Sequence, residues 1–457
     1  MRPLSCALVL LLASTGGAAA QYPLRTDPVD SVVADLRRYI PGRMAEDRVP
    51  GMAVALLRGG RVAWVEGFGV GNALGRAPVT PATPFPAASL GKALVAYAAA
   101  RAADRGVLGL DDKVGARLGS GWSADTSRRD RVTVRHLLTH TSGLSNFLGD
   151  RERRLRFEPG DSFAYSGVGF MVLQEALAST AGDGDSLDGI VARDVLDPLG
   201  IGAARFGRGA PGAEPSASGH IPLGRAIVPF GLVFLPLWAV ARLALWRARR
   251  LRGRGWIAAA VAAAGATGFL LSRAANPRLV PFFVGAFVAY ALVALAGGLV
   301  AARVLRARRW AAPIGALPTG LLLFALLRGV PVPVPDGTPP GGNAASSLRA
   351  DAAGLARLLA ELARPTLLTP AMAAELRREH VRVSDHVAWG LGIALQRAPG
   401  ADALFHWGSN PAARAAMIVY PASGSGVVVL ANSGTAGDAV VDVVQRALGG
   451  PPWWADE

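Results

Sequence analysis

Ser89-Leu90-Gly91-Lys92 places a hydroxyl and an amine three positions apart. On a helix, residues at that spacing share a face, so the two groups can meet within one turn. A serine hydroxyl is a weak nucleophile until a neighbouring base takes its proton. An amine can be that base only where burial or nearby positive potential lowers its pKa. The lysine is rare here: of 48 basic residues only Lys92 and Lys113 are lysines, and the rest are arginine. A bias that turns lysine into arginine wherever charge suffices would spare a lysine needed for proton transfer, because arginine does not lose its proton in a protein. Lys113 reads as a solvated loop charge.

The remaining polar constellations exclude more than they suggest. His136 and His140, four apart, could share a helix face, but no glutamate follows His136 and no third ligand presents itself. Both therefore read as structural, and no metal is expected. The single Cys6 excludes an intramolecular disulfide and a thiolate cluster. It precedes the apolar run and reads as leader rather than lipid anchor. The gapped glycines from Gly67 to Asn72 do not precede a helix pattern, so no nucleotide loop is expected. His220, His380 and His386 have no evident partners. No cofactor is implied. The net charge of +15 invites a nucleic-acid reading. However, the densest arginine runs lie at the ends of apolar segments, where membrane topology accounts for them, so no nucleic-acid partner is expected.

The elements that must position Ser89 and Lys92 begin with a helix over 89–103, alanine-rich and led by Ser89 as cap. At its N-terminus, free N–H groups and the helix dipole favour negative charge. Two β-rich runs between Val49 and Phe68 flank Arg58-Gly59-Gly60-Arg61 as a hairpin. A second hairpin spans Met417–Asn432 around P-A-S-G-S-G. Helix patterns cover 168–181 and 351–362. Trp453-Trp454 suits either a membrane interface or a packed or frayed tail.

Composition points to a membrane. The chain is 51% hydrophobic, with a mean hydropathy of +0.32. Residues 1–20 read as a signal peptide, with Arg2, an apolar run from Ala7 to Ala13, and Ala18-Ala19-Ala20 before Gln21. Four apolar segments at about 226–246, 256–272, 279–302 and 311–327 approach the roughly 20 residues a spanning helix needs. The loops from Arg247 and Arg303 are richer in arginine than the loop from Arg273, which puts the first two in the cytoplasm. An even number of spans returns the chain to the outside. The expected organisation is a globular part over 30–223, a transmembrane insert over 224–329, a Pro/Gly-rich linker over 330–343 and a second globular part over 344–447. The expected location is the inner membrane, multi-pass, with the lipid bilayer as partner and the globular parts extracytoplasmic. No acidic residue occurs between Arg225 and Pro335, which leaves a proton or cation pathway little to work with.

Tyr165-Ser166-Gly167 lies 76 positions beyond Ser89, and His406-Trp407-Gly408 follows much later. Together with Ser89-Leu90-Gly91-Lys92 they resemble the three-motif active site of the class C β-lactamase and D,D-peptidase family of serine hydrolases. V-T-V-R-H-L-L-T-H-T-S-G-L from Val132, P-F-P-A-A-S-L-G-K ending at Lys92, G-S-N-P-A-A-R from Gly408 and the run ending at Ser433 are similar to family stretches. The resemblance covers about 30–223 and 344–447.

The resemblance implies an α/β (α+β) fold of β-lactamase/transpeptidase type, an antiparallel sheet flanked by helices plus a helical region. It implies that the four-helix insert interrupts one catalytic domain. It also implies an acyl-enzyme on Ser89, with Tyr165 as a lysine-polarised tyrosinate base beside Lys92. His406, where many members carry lysine, would donate to substrate or tune Tyr165. Gly408 would allow a close strand approach, and the N–H groups of Ser89 and Ser409 would form the oxyanion hole. Gly167 stands where β-lactamases and D,D-peptidases usually carry asparagine. Gly167 and His406 both point away from efficient β-lactam hydrolysis, toward esterase-like and peptidase-like relatives acting on a small molecule or peptide. The alternative is a catalytically silent receptor signalling through the membrane helices, which retention of serine, lysine and tyrosine disfavours. Oligomeric state is left open.

Overall fold

Strand β1 (Gly51–Arg58) is buried along nearly its whole length, and alternate residues face opposite sides. Ala53, Ala55 and Leu57 join one hydrophobic cluster, and Met52, Val54 and Leu56 join another. A strand covered on both faces has no polar side to show, so its sequence reads as a continuous apolar run. Strands β11 (Ala413–Tyr420) and β12 (Ser425–Ala431) divide in the same way: Met417 and Leu430 face one cluster, Ile418 and Val429 the other. With β2 (Arg61–Gly69), β7 (Val381–Arg382), β8 (Val387–Trp389), β9 (Ala394–Gln396) and β10 (Ala403–Asn410), they form an antiparallel sheet. Its order is β2-β1-β12-β11-β10-β9-β8-β7.

The computed structural model describes residues 23–146, 149–180, 185–207, 216–222, 329–334, 338–339 and 341–455. One face of the sheet is covered by helices α1 (Val29–Glu46) and α6 (Gly437–Leu448). Helix α6 turns Ala439, Val440, Val443, Val444, Ala447 and Leu448 inward at helical spacing. The other face carries α5 (Ala352–Ala363) and the helical region containing α2 (Gly91–Asp104), α3 (Val134–Leu138) and α4 (Gly167–Ala178). The expected hairpins both form: β1 turns into β2 through Gly59 and Gly60, both in the left-handed region, and β11 turns into β12. The chain on either side of residues 223–328 contributes to one sheet, since β1 pairs with β12 along Met52↔Ala431 to Leu57↔Gly426. The ends bordering that segment are neighbours as well. Strand β4 (His220–Pro222) pairs with β5 (Pro331–Pro333), with Pro222 opposite Pro331.

Among the described residues, no helix is long and apolar enough to cross a membrane. The expected multi-pass placement in the inner membrane, with the bilayer as partner, is corrected on that finding. The physical reason lies in where apolar residues go in the described part. A sheet buried on both faces, together with α2, whose residues from Gly91 to Ala100 are all buried, absorbs much of the composition that suggested a membrane. The signal-peptide reading over 1–20 and the four apolar segments at 226–246, 256–272, 279–302 and 311–327 fall outside the described residues.

Candidate active site

Strand β3 (Phe85–Ala88) pairs with β6 (Leu348–Ala350) and ends in a sharp turn. Ala88 has φ +48°, a left-handed conformation that costs an ordinary residue about 1 kcal/mol. Ser89 follows directly. The helix begins two residues later than expected, at Gly91, with Leu90 as its cap residue and no side-chain capping bond. Ser89 therefore does not cap α2. Its hydroxyl is engaged elsewhere: Lys92 Nζ donates to Ser89 Oγ at 3.1 Å, and Ser89 Oγ donates weakly to the Ala345 carbonyl at 3.4 Å.

Lys92, on the first turn of α2, is fully buried. Its amine also donates to the Ala345 carbonyl. Among the described residues no carboxylate pairs with it, and burial holds its pKa down at about 7. The amine lies 4.9 Å from the centroid of the Tyr165 ring, whose face attracts a cation and offsets part of that burial cost. Ala345 is held in place by Asn343, whose side chain accepts from the N–H groups of Ala345 and Ser346, and by Gln174 of α4, which accepts from Ala344 N–H. Ala345 and Asn343 were not singled out in the sequence. An asparagine followed by small residues after Gly-Gly is an Asx-turn signal, and it marks the spot.

Tyr165 directly precedes the cap of α4. The Ser166 hydroxyl accepts from Gly169 N–H at 2.8 Å and donates to the Ser145 carbonyl at 2.9 Å. The Tyr165 phenol oxygen is buried; the Ser89 hydroxyl is close to it, but no group among the described residues reaches it with full hydrogen-bond geometry. Burial raises its pKa above the usual tyrosine range, and the nearby Ser89 hydroxyl only opposes that shift. Gly167 opens α4, and its N–H donates to Asn146 Oδ1 at 2.9 Å. Asn146 is a further site-border residue that the sequence reading did not pick out.

His406 lies on β10 and is fully buried. Its Nδ1–H donates to the Trp407 carbonyl at 2.8 Å, which leaves Nε2 as a bare acceptor that no hydrogen bond from the described residues reaches. Burial, with Lys92 nearby, pushes its pKa down to about 3, so the ring is neutral at physiological pH. Tyr165 and His406 stand 6.3 Å apart between ring centroids, both against Trp389. β9 pairs with β10 only through Phe405, so from His406 onward β10 is bonded to β11 alone. Gly408 lies against β3: a Cβ there would sit 2.2 Å from the Ala87 carbonyl oxygen. Ser409, the next residue, is exposed at this end of the strand.

The fold thus brings Ser89, Lys92, Tyr165, His406 and Gly408 to one place, with Gly167 and Ser409 at its border. His136 and His140, read as structural, part company. His136 Nδ1 accepts from Thr133 N–H in the capping box of α3, whereas His140 packs against Tyr165 at 4.3 Å between ring centroids. No group of His, Cys, Asp or Glu among the described residues could hold a metal ion.

The family model described as Beta-lactamase matches residues 36–450. An uncharacterized protein of Alkalihalophilus pseudofirmus is 35% identical over 100 residues, covering 22% of this chain and 28% of its own length. The chain spans only about a third of the length of the curated relatives it matches. The octameric penicillin-binding protein homologue from Pyrococcus abyssi superposes with a TM-score of 0.59 at 19% identity, over 88% of this chain and 74% of that one. EstCE1, a hydrolase with promiscuous acyltransferase activity, superposes with a TM-score of 0.58 at 17% identity, over 92% and 98%. At such identities these likenesses speak for the fold, an antiparallel sheet flanked by helices. The match over residues 36–450 goes further, and the chain belongs to the beta-lactamase family.

Proposed function

We propose that this protein is a serine hydrolase that opens an ester or amide through an acyl-enzyme on Ser89. The observation that carries the reading is the Lys92 amine, buried with no carboxylate partner among the described residues and 3.1 Å from Ser89 Oγ. In its neutral form Lys92 takes the hydroxyl proton as Ser89 Oγ bonds to the substrate carbonyl carbon. The developing oxyanion accepts from the N–H groups of Ser89 and Ser409, each worth about 2.7–4 kcal/mol in sites of this kind. The proton on Lys92 passes by way of the Tyr165 phenol to the leaving oxygen or nitrogen as its bond to carbon breaks. Water then attacks the acyl carbon and gives a proton to Lys92; as the bond from that carbon to Ser89 Oγ breaks, Lys92 passes the proton to Oγ, which restores the hydroxyl and the neutral amine and frees the acid.

Burial moves Tyr165 and Lys92 in opposite directions. Lys92 is therefore the group that reaches its neutral, basic form near pH 7, and Tyr165 stays a phenol that relays a proton. Gly167 offers no side chain to a substrate amide, and neutral His406, its Nδ1–H already engaged, offers no charge to a substrate carboxylate. Both features favour uncharged esters and peptides over β-lactams.

The test is incubation with a fluorophosphonate probe and with labelled penicillin, followed by mass spectrometry. The probe is expected on Ser89, and the adduct disappears in Ser89→Ala. A folded protein that gains no adduct at Ser89 would sink the proposal.

The pH dependence is a separate expectation. Below about pH 7 Lys92 carries a proton and cannot act as base, so the rate of Ser89 modification rises about tenfold per unit toward pH 7 and levels off above it. A rate that is flat from pH 5 to 9 excludes Lys92 as the base.

A further inference from the structure

We infer that His140 is a positioning residue for Tyr165, an inference that rests on the hydrolase reading above. His140 lies two residues past α3 and is one of few non-glycine residues among those described with a left-handed backbone, at φ +58°. From that conformation it grips the Tyr165 segment at three points. Its carbonyl accepts from Ala164 N–H at 2.9 Å, its Nδ1 accepts from Ser166 N–H at 3.1 Å, and its ring lies tilted by 37° against the Tyr165 ring, 4.3 Å between centroids. The residues on either side of Tyr165 are thus tied to His140, and the phenol ring rests on the imidazole. Behind it stand Phe170 at 5.2 Å and Trp389 at 5.0 Å, which leave the imidazole no room to turn.

The choice of residue carries the argument. Asparagine would suit a left-handed backbone and supply an acceptor. Phenylalanine would fill the aromatic cage. Imidazole does both at once, and only in the neutral tautomer with its proton on Nε2, because Nδ1 must accept. Full burial, with Lys92 and His406 nearby, holds the His140 pKa well below the ordinary value and keeps the ring neutral; the Ser166 N–H sets the tautomer, and the buried Nε2–H meets no hydrogen-bond partner among the described residues. The grip sets where the Tyr165 ring stands over Lys92, and so where the phenol meets the transferred proton.

The experiment is a double-mutant cycle on the full chain. It reads the hydrolysis of ethyl acetate, whose ethoxide leaving group needs the relayed proton, whereas fluoride or p-nitrophenolate would leave without it. His140→Asn keeps the backbone and the acceptor for Ser166 but removes the ring. The expected result is a loss of about tenfold in kcat with KM within about twofold, as for a misplaced catalytic group. Tyr165→Phe alone loses about 100-fold. In the Tyr165→Phe background, His140→Asn then costs less than about twofold more, because its effect runs through the phenol.

A full further tenfold loss in that background overturns the inference and leaves the hydrolase reading intact. So does a Tyr165→Phe variant with wild-type rates. His140→Phe, which keeps the ring and loses the acceptor, serves if the asparagine variant does not fold. If neither folds, His140 maintains the fold rather than Tyr165, and the inference fails. Absence of adduct on wild-type Ser89 removes both.

Discussion

Replacing Lys92 with methionine will lower the rate of fluorophosphonate reaction at Ser89 about 1,000-fold and will raise the melting temperature of the protein. The rate loss is that of removing a positioned general base. The stability gain follows from the same burial that makes the base. Lys92 is fully buried, its acceptors among the described residues are Ser89 Oγ and the Ala345 carbonyl, and its pKa falls from the ordinary 10.5 to about 7. Between those two values the unfolded chain binds the proton and the folded chain does not, so stability rises with pH across that window. Below about pH 7 the fold carries a buried ammonium at full cost; above about pH 10.5 the cost is gone. Methionine fills similar space without a charge, so its advantage is greatest below pH 7 and fades toward pH 10.5. The orphaned Ala345 carbonyl takes back part of it, leaving a gain on the order of 2 kcal/mol at pH 6. Thermal melts at pH 6 and pH 10 check the sign. A variant that melts lower than wild type at pH 6 would show that the buried amine does not cost stability, and one that keeps its rate within tenfold would show that Lys92 is not the base.

The Ser89–Lys92 pair was legible in the sequence because it is local: only two residues separate Ser89 from Lys92 on the first turn of α2, which leaves little freedom. The hairpins at Gly59-Gly60 and before Ser425 were legible for the same reason. What completes the site was not. The Ala345 carbonyl stands 253 positions from Lys92 and has no side chain to advertise it. His220 appeared to lack partners, yet its ring joins the Asn432 carbonyl and the Ala73 N–H, both backbone groups far off in sequence. His386 was equally mute, and it stacks on Trp453 at 3.6 Å, which accounts for part of the tryptophan tail as packing. Ser89 was misread as a helix cap because cap preference describes an isolated helix end, whereas here Lys92 and Ala345 compete for the hydroxyl. The composition misled in a related way. Apolar strands sandwiched between helices raise the hydropathy of a chain much as a membrane segment does, and the average does not separate the two.

Gly408→Ala will cost about 100-fold in the rate of Ser89 modification and about 1–3 kcal/mol in stability. The added Cβ would lie 2.2 Å from the Ala87 carbonyl oxygen, well inside contact distance, and 3.3 Å from Ala415 Cβ. The atom in the way is backbone, so no rotamer change relieves it. Strand β10 is bonded to β11 along Gly408↔Ala415, and it is β3 that must yield, by about 1 Å. Ala87 is two residues from Ser89, and Ser409 follows Gly408, so the displacement opens the gap between nucleophile and the Ser409 N–H proposed as oxyanion donor. A shift of that size costs about 100-fold where reacting groups must be aligned. Gly67→Ala is the control. Its Cβ would meet the Val79 carbonyl oxygen at 2.6 Å, a clash of the same kind on β2, which bears none of the candidate residues. The control loses stability, but its folded fraction reacts at the wild-type rate. If Gly408→Ala does the same, the approach of β10 to β3 serves packing alone, and the oxyanion role proposed for Ser409 goes with it.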